Sequence, residues 1–235
     1  IPDLDINRKF YNLGNEKDKF KFITNIEKLC RTSIEYKELI SYLKNNLSMD
    51  FCAFFHKVKK NNFGKTRIRI EVHHEPFTLY DIVAIVVNKM SDDYNEPIDM
   101  FDVCDEVMRL HYEGKVGLIP LSSTTHELVH SGKLLIPLQF IDIGFNDFYN
   151  EYKETIKGMD GLTELLEAKV ALSKKYQENP EEFISILRKK YIYVAHDEEL
   201  DYVKILDKES GDYYIFAENT INFHLLNQIF IIKYH

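Results

Sequence analysis

The chain is poor in cysteine, in positive charge and in long apolar runs. Its three cysteines, Cys30, Cys52 and Cys104, are odd in number and far apart in 235 residues, which does not suggest a disulfide framework. They lie in apolar periodic segments and read as buried free thiols in a reducing compartment. No apolar run approaches the length needed to span a bilayer and no signal peptide is visible, so no membrane partner is expected. The first residue is Ile1 rather than Met, from which an upstream segment that was removed, processed or simply not included is expected. Lys and Arg number 30 against 38 Asp and Glu, a formal net charge of −8. That balance argues against a protein coated in nucleic acid over its whole surface, and leaves room for a local basic patch. Repeats and low-complexity segments are absent.

What is present is a hydrophobic content of 45%, enough for a substantial core in one large or two small domains. Residues 18–47 carry Phe22, Ile26, Leu29, Leu39, Ile40 and Leu43 at helical spacing, which predicts helix. From Phe51 the pattern turns to strands, 51–58 and 67–73, around a turn at 59–64. Two helices follow, about 78–90 and 100–112, and further helices are expected at 145–156, 162–176 and 180–190. The tail reads as strands at 191–195, 202–207, 213–217 and 221–233.

The chemistry-bearing stretch is Leu118 to Lys133, LIPLSSTTHELVHSGK. An apolar strand-like run meets Ser122 to Thr125 as a helix cap, and Gly132 suits the position just past the helix end. The short helix between them puts His126 and His130 on one face, one turn apart, where both imidazoles can share a metal ion. A third arm is needed, and the pair His73–His74 at the end of a strand is the candidate. Along that strand Ile68, Ile70, Val72 and His74 share one face, and Arg67, Arg69, Glu71 and His73 the other. Lys57, Lys59, Lys60, Lys65, Arg67 and Arg69 reverse the local sign of charge, which suits a DNA phosphate backbone; the alternative is a hairpin edge kept soluble by its cations. The other histidines, His56, His111, His196, His224 and His235, are read as structural or exposed, with a phosphate contact the alternative for His56; Glu75 either orients an imidazole or simply points into water.

The segments IEVHHEP (70–76) and GLIPLSSTTHELVHSG (117–132) resemble the HNH, or ββα-metal, endonucleases, in their colicin-like branch. The resemblance covers about a quarter of the chain and implies a phage or mobile-element origin. By position it implies metal ligation by His73, His126 and His130, with His74 as general base. The family's middle asparagine falls at Gly117; Asn88 and Asn95 are the nearby substitutes, and the stretch between His74 and Leu118 is a helical insertion. Three imidazoles suit Zn²⁺, or Ni²⁺, better than Mg²⁺, although Mg, Mn or Ni are also expected to support turnover. A rival sits on the same residues: His126-Glu127-Leu128-Val129-His130 is H-E-x-x-H, the zinc metallopeptidase pattern with Glu127 as base and Glu151 as a third ligand.

The expectation is therefore an α+β protein. Residues 1–49 form an N-terminal helical region, and 50–150 an HNH-like nuclease core with a helical insertion at 78–112. A helical region (151–190) and a small C-terminal β region (191–235) follow. The expected activity is single-metal hydrolysis of DNA phosphodiester bonds with a histidine base. The alternatives are the peptidase or a catalytically silent HNH-fold binding module. Expected partners are DNA and, through the C-terminal region, another protein or a second copy, and the expected location is the host cytoplasm.

Overall fold

A computed structural model describes residues 11–53, 58–59, 61–63, 66–93, 98–132, 134–141, 143–178, 191–197, 202–207 and 213–217. Among them no helix is long and apolar enough to cross a membrane. The fold is α+β, dominated by helices, with small antiparallel sheets.

The expected first helix is two. Helix α1 (Glu16–Thr32) starts where the Asn15 side chain accepts from the amides of Lys17 and Asp18, and buries Phe22, Ile23, Ile26 and Cys30 along one stripe. Ser33 then takes an extended conformation (φ −61°, ψ 155°) that ends α1, and its hydroxyl accepts from the Tyr36 amide to start α2 (Ile34–Asn46). A Ser N-cap inside an unbroken hydrophobic period is the signal that divides them.

The strand region is also more finely divided than its pattern predicts. Strand β1 (Phe51–Cys52) pairs with β2 (Val58–Lys59), and β3 (Asn61–Phe63) with β4 (Thr66–Ile68), both antiparallel. Asn61 and Asn62, expected in the turn, lie in β3 opposite Ile68 and Arg67; cross-strand pairing overrides their weak strand preference. Strand β5 (Ile70–His74) pairs antiparallel with β6 (Leu118–Ser122), with His73 opposite Ile119 and His74 opposite Leu118.

Between these partners run α3 (Leu79–Asp93) and α4 (Met100–Tyr112). Thr78 and Asp81 cap α3 reciprocally, each accepting from the other's amide (2.9 and 3.2 Å). Asp99 caps α4 through the Phe101 amide. The resemblance makes both helices an insertion, and in chain order they lie between β5 and β6. In packing they are central: Val83, Val86, Val103 and Val107 share one core with Ile26, Leu39, Leu118 and Phe148.

After β6 come α5 (Ser123–His130), α6 (Asn146–Lys157) and α7 (Leu162–Glu178). A three-stranded antiparallel sheet, β7 (Tyr191–Asp197), β8 (Tyr202–Asp207) and β9 (Tyr213–Ala217), follows in the order β7-β8-β9. The helix expected at 180–190 and the strand at 221–233 lie outside the described residues.

At Gly117, where the HNH resemblance would place an asparagine, the packing leaves no room for a side chain. The Glu75 amide donates to the Gly117 carbonyl (3.0 Å), extending the β5–β6 ladder by one rung. A Cβ at this position would sit 2.0 Å from the Glu75 carbonyl oxygen and 3.0 Å from Phe145 Cβ. No side chain fits. Gly117→Ala is expected to destabilise the fold by roughly 3 kcal/mol, the upper end of overpacking costs, and Gly117→Asn by no less, measured by urea denaturation. Asn88 accepts from Lys19 Nζ (2.6 Å) and donates to Met159 Sδ (3.1 Å), so it is committed to helix packing; Asn95 lies outside the described residues.

Candidate metal centre

The β5–β6 ladder and α5 bring three histidines together. Helix α5 is short because both ends are fixed: the Ser122 hydroxyl accepts from the Thr125 amide (3.3 Å), and Gly132 takes φ +67° just past the last turn. Buried Leu128 and Thr125 seat one side of the helix. His126 and His130 leave the other side with Nε2 atoms 3.2 Å apart and ring centroids 4.4 Å apart. His73, on the face of β5 turned to α5, lies 5.0 Å from each ring, nearly perpendicular to both. One ligand atom from each of the three comes within 4.8 Å of the others. His73 is buried, His126 half-buried and His130 exposed, so the cluster opens to solvent on the α5 side.

Carboxylates back two of the rings. Glu71, two residues before His73 on the same strand face, accepts from His126 Nδ1 (3.1 Å) and from the Ser123 hydroxyl (3.2 Å). With the proton fixed on Nδ1, Nε2 of His126 carries the lone pair that faces His130. Glu75 stands 3.5 Å from His73 Nε2 and is itself paired with Lys169, which arrives from α7. Both members of that ion pair are buried. Burial first, then the neighbouring His73, lowers the pKa of His126 to about 4, and the same causes lower that of His130. Imidazoles kept neutral near pH 7 are in the state that binds a cation.

The donor set fits a divalent ion of intermediate softness: three neutral nitrogens, with a carboxylate oriented on a ring as in carboxylate–histidine–zinc arrangements. It fits Mg²⁺ poorly, since the donors that converge among the described residues are imidazole nitrogens, while Glu71 and Glu75 are turned to the rings.

His74 lies apart from this cluster. Being the next residue on a strand, it points to the opposite face, where it is buried against α4. Its Nε2 donates to His111 Nε2 (2.9 Å), because His111 uses its own Nδ1 proton on the Val107 carbonyl (2.7 Å). Tyr36 stacks on it with centroids 6.3 Å apart. A general base must touch a water at the reacting centre; this imidazole is enclosed and its pKa is lowered by burial and by His111. The geometry places His74 in a core polar pair with His111, apart from the three-histidine cluster.

That pair predicts acid lability. Burial lowers the pKa of His111 from 6.5 to about 4, so the unfolded chain binds a proton that the folded one refuses between those values. Stability is full above pH 6.5 and falls as the pH drops towards 4, by about 3 kcal/mol from His111 alone. Urea denaturation at pH 7 and pH 5 checks this, and the slope should flatten in the His74→Phe/His111→Leu double variant.

With the geometry established, comparison with known families is informative. The family described as Bacteriophage G278-like virion protein matches residues 3–202. The chain belongs to this virion protein family. A phage origin, expected from the HNH resemblance, agrees with this membership; the match itself is to a virion family and not to an HNH nuclease family. Searches of curated proteins and of solved structures return no match.

The remaining candidates divide by location in this G278-like fold. Arg69 is exposed beside the centre, and its carbonyl accepts from the Ser123 amide (3.0 Å) at the start of α5. Lys59 lies on β2 and Arg67 on β4, with side chains outside the described set; Lys57, Lys60 and Lys65 lie outside the described residues altogether. Glu151, the peptidase reading's third ligand, is held by Lys115 (2.8 Å) and Arg109 (3.3 Å) on α6, away from the three histidines. Glu127 is exposed on α5. Sequence reasoning missed Glu71 as a ring partner, although the period-2 pattern already set it beside His73 on one face. Lys169 is 94 residues from Glu75, and no local pattern announces it.

Proposed function

We propose that the chain is a metal-dependent hydrolase carried by a phage particle, with His73, His126 and His130 as ligands and DNA phosphodiesters as substrate. One observation carries the reading: a strand, its antiparallel partner and a short helix bring these three residues together, the order and donor set of ββα-metal nucleases. A bound divalent ion would supply charge at a non-bridging oxygen and acidify a water. The chain's own residues do the rest. Glu71 and Glu75 orient His126 and His73, Lys169 neutralises Glu75, and exposed Arg69 offers a phosphate contact beside the open side of the cluster. The basic residues Lys57, Lys59, Lys60, Lys65 and Arg67 extend that contact in the proposal, and the C-terminal strands are the proposed contact to a particle protein or a second copy.

A second reading has its own support. Glu127 follows His126 on the helix and is exposed, whereas His74 is enclosed, so the carboxylate this arrangement offers as base is that of an H-E-x-x-H peptidase, with His73 in place of Glu151 as third ligand. Wild type supplied with zinc, manganese, nickel or magnesium is assayed on plasmid DNA and on casein. The nuclease reading expects plasmid nicking that disappears with His126→Ala and survives Glu127→Gln, with casein intact. Casein hydrolysis that Glu127→Gln abolishes would replace it by the peptidase. Neither activity with any of the four metals would leave a metal-binding particle component.

A further inference from the structure

Two of the three cysteines meet. Cys30, in the last turn of α1, and Cys104, in the first half of α4, are fully or nearly buried, with sulfur atoms 3.0 Å apart. That separation is about 1 Å longer than a disulfide bond. Cys52 is elsewhere, on β1, with its sulfur 3.6 Å from the Thr125 hydroxyl. An odd number of thiols thus resolves into one pair and one remainder. Either sulfur can donate to the other across this contact, so the geometry pairs the two thiols without ranking them.

We propose that Cys30 and Cys104 are a redox pair, reduced in the cytoplasm and closing to a disulfide in an oxidising medium such as the surroundings of a released particle. The oxidant class is a small-molecule disulfide. When the core opens locally, one of the two cysteines, deprotonated to its thiolate, attacks one of the oxidant's sulfurs, releasing one small thiolate and forming a mixed disulfide. The other cysteine, losing its proton, attacks the sulfur of the first and releases the second small thiolate. Two protein thiols are oxidised, one external disulfide is reduced, and two protons move to the released thiolates. The bond ties α1 to α4 across a loop of about 75 residues, long enough to restrict the unfolded chain strongly. It also braces the helix that carries His111, the partner of His74.

The test uses the full chain, expressed reduced and equilibrated with oxidised glutathione, then alkylated under denaturing conditions and mapped by mass spectrometry. The expected result is a Cys30–Cys104 linked peptide within one chain, alkylated Cys52, and a thermal midpoint raised by roughly 10 °C that dithiothreitol reverses. Cys52→Ala should keep the shift, and Cys30→Ser or Cys104→Ser should lose it. Three alkylatable thiols after equilibration, a bond involving Cys52, or a bond between chains would overturn the proposal. Because the linkage is mapped on the wild type, the outcome does not depend on the variants folding. It is also independent of the hydrolase reading, since no activity is measured.

Discussion

Replacing Lys169 by methionine is expected to cost about 3–5 kcal/mol of folding stability, far more than an ordinary surface lysine would. The reason is what the substitution leaves behind. Glu75 is 2% exposed and faces Lys169 on one oxygen and His73 on the other. Taking the ammonium away strands a carboxylate where water cannot reach it, and the fold must open, protonate Glu75 or lose the docking of α7. Removing both charges together is different: Glu75→Gln/Lys169→Met keeps the volume without the orphaned charge, and should recover most of the loss. The double-mutant cycle, read by far-ultraviolet circular dichroism because the chain has no tryptophan, separates the two cases. Equal losses in the single and double variants would mean that packing of the lysine stem, and not its charge, holds α7 in place.

The second large effect is on metal-linked stability. Zinc at a free concentration 100 times its dissociation constant should stabilise the wild type by about 2.7 kcal/mol, since an ion held by His73, His126 and His130 binds the folded state alone. His126→Ala removes a ligand and should abolish the stabilisation. Glu71→Gln keeps all three imidazoles but weakens the hydrogen bond that fixes the His126 tautomer, so affinity should fall by about 10- to 100-fold with the fold intact. His74→Phe should leave the zinc effect in place, because His74 faces α4 on the far side of β5. A loss of zinc stabilisation in His74→Phe comparable to that in His126→Ala would return His74 to the centre.

Much of this was legible in the chain before folding. Helix α5 announces itself at both ends, by Ser122 and by Gly132, and the four-residue spacing of His126 and His130 does the rest. The same strand alternation that pairs Glu71 with His73 also turns His74 the other way, so the pattern itself conflicts with giving both neighbouring histidines work at one centre; the family resemblance masked this. Other parts were not legible, for physical reasons. Ser33 divides α1 from α2 without interrupting the apolar period. Lys169 reaches Glu75 and Cys30 reaches Cys104 only through tertiary packing, and a buried contact between distant positions leaves no periodic trace. That no side chain fits at Gly117 becomes visible only once β5 and β6 are paired, with the Glu75 carbonyl against its α-carbon.

The most direct measurement is X-ray absorption at the zinc edge, on wild type and His73→Ala loaded with one equivalent of zinc. For the wild type, one tightly bound ion per chain is expected, with three imidazole nitrogens at about 2.0–2.1 Å. His73→Ala should bind far more weakly and lose one nitrogen from the shell, because in the proposed site the strand's His73 completes the helix pair. A wild-type chain that holds no stoichiometric zinc, or a His73→Ala variant with the same affinity and the same nitrogen shell, would contradict the account.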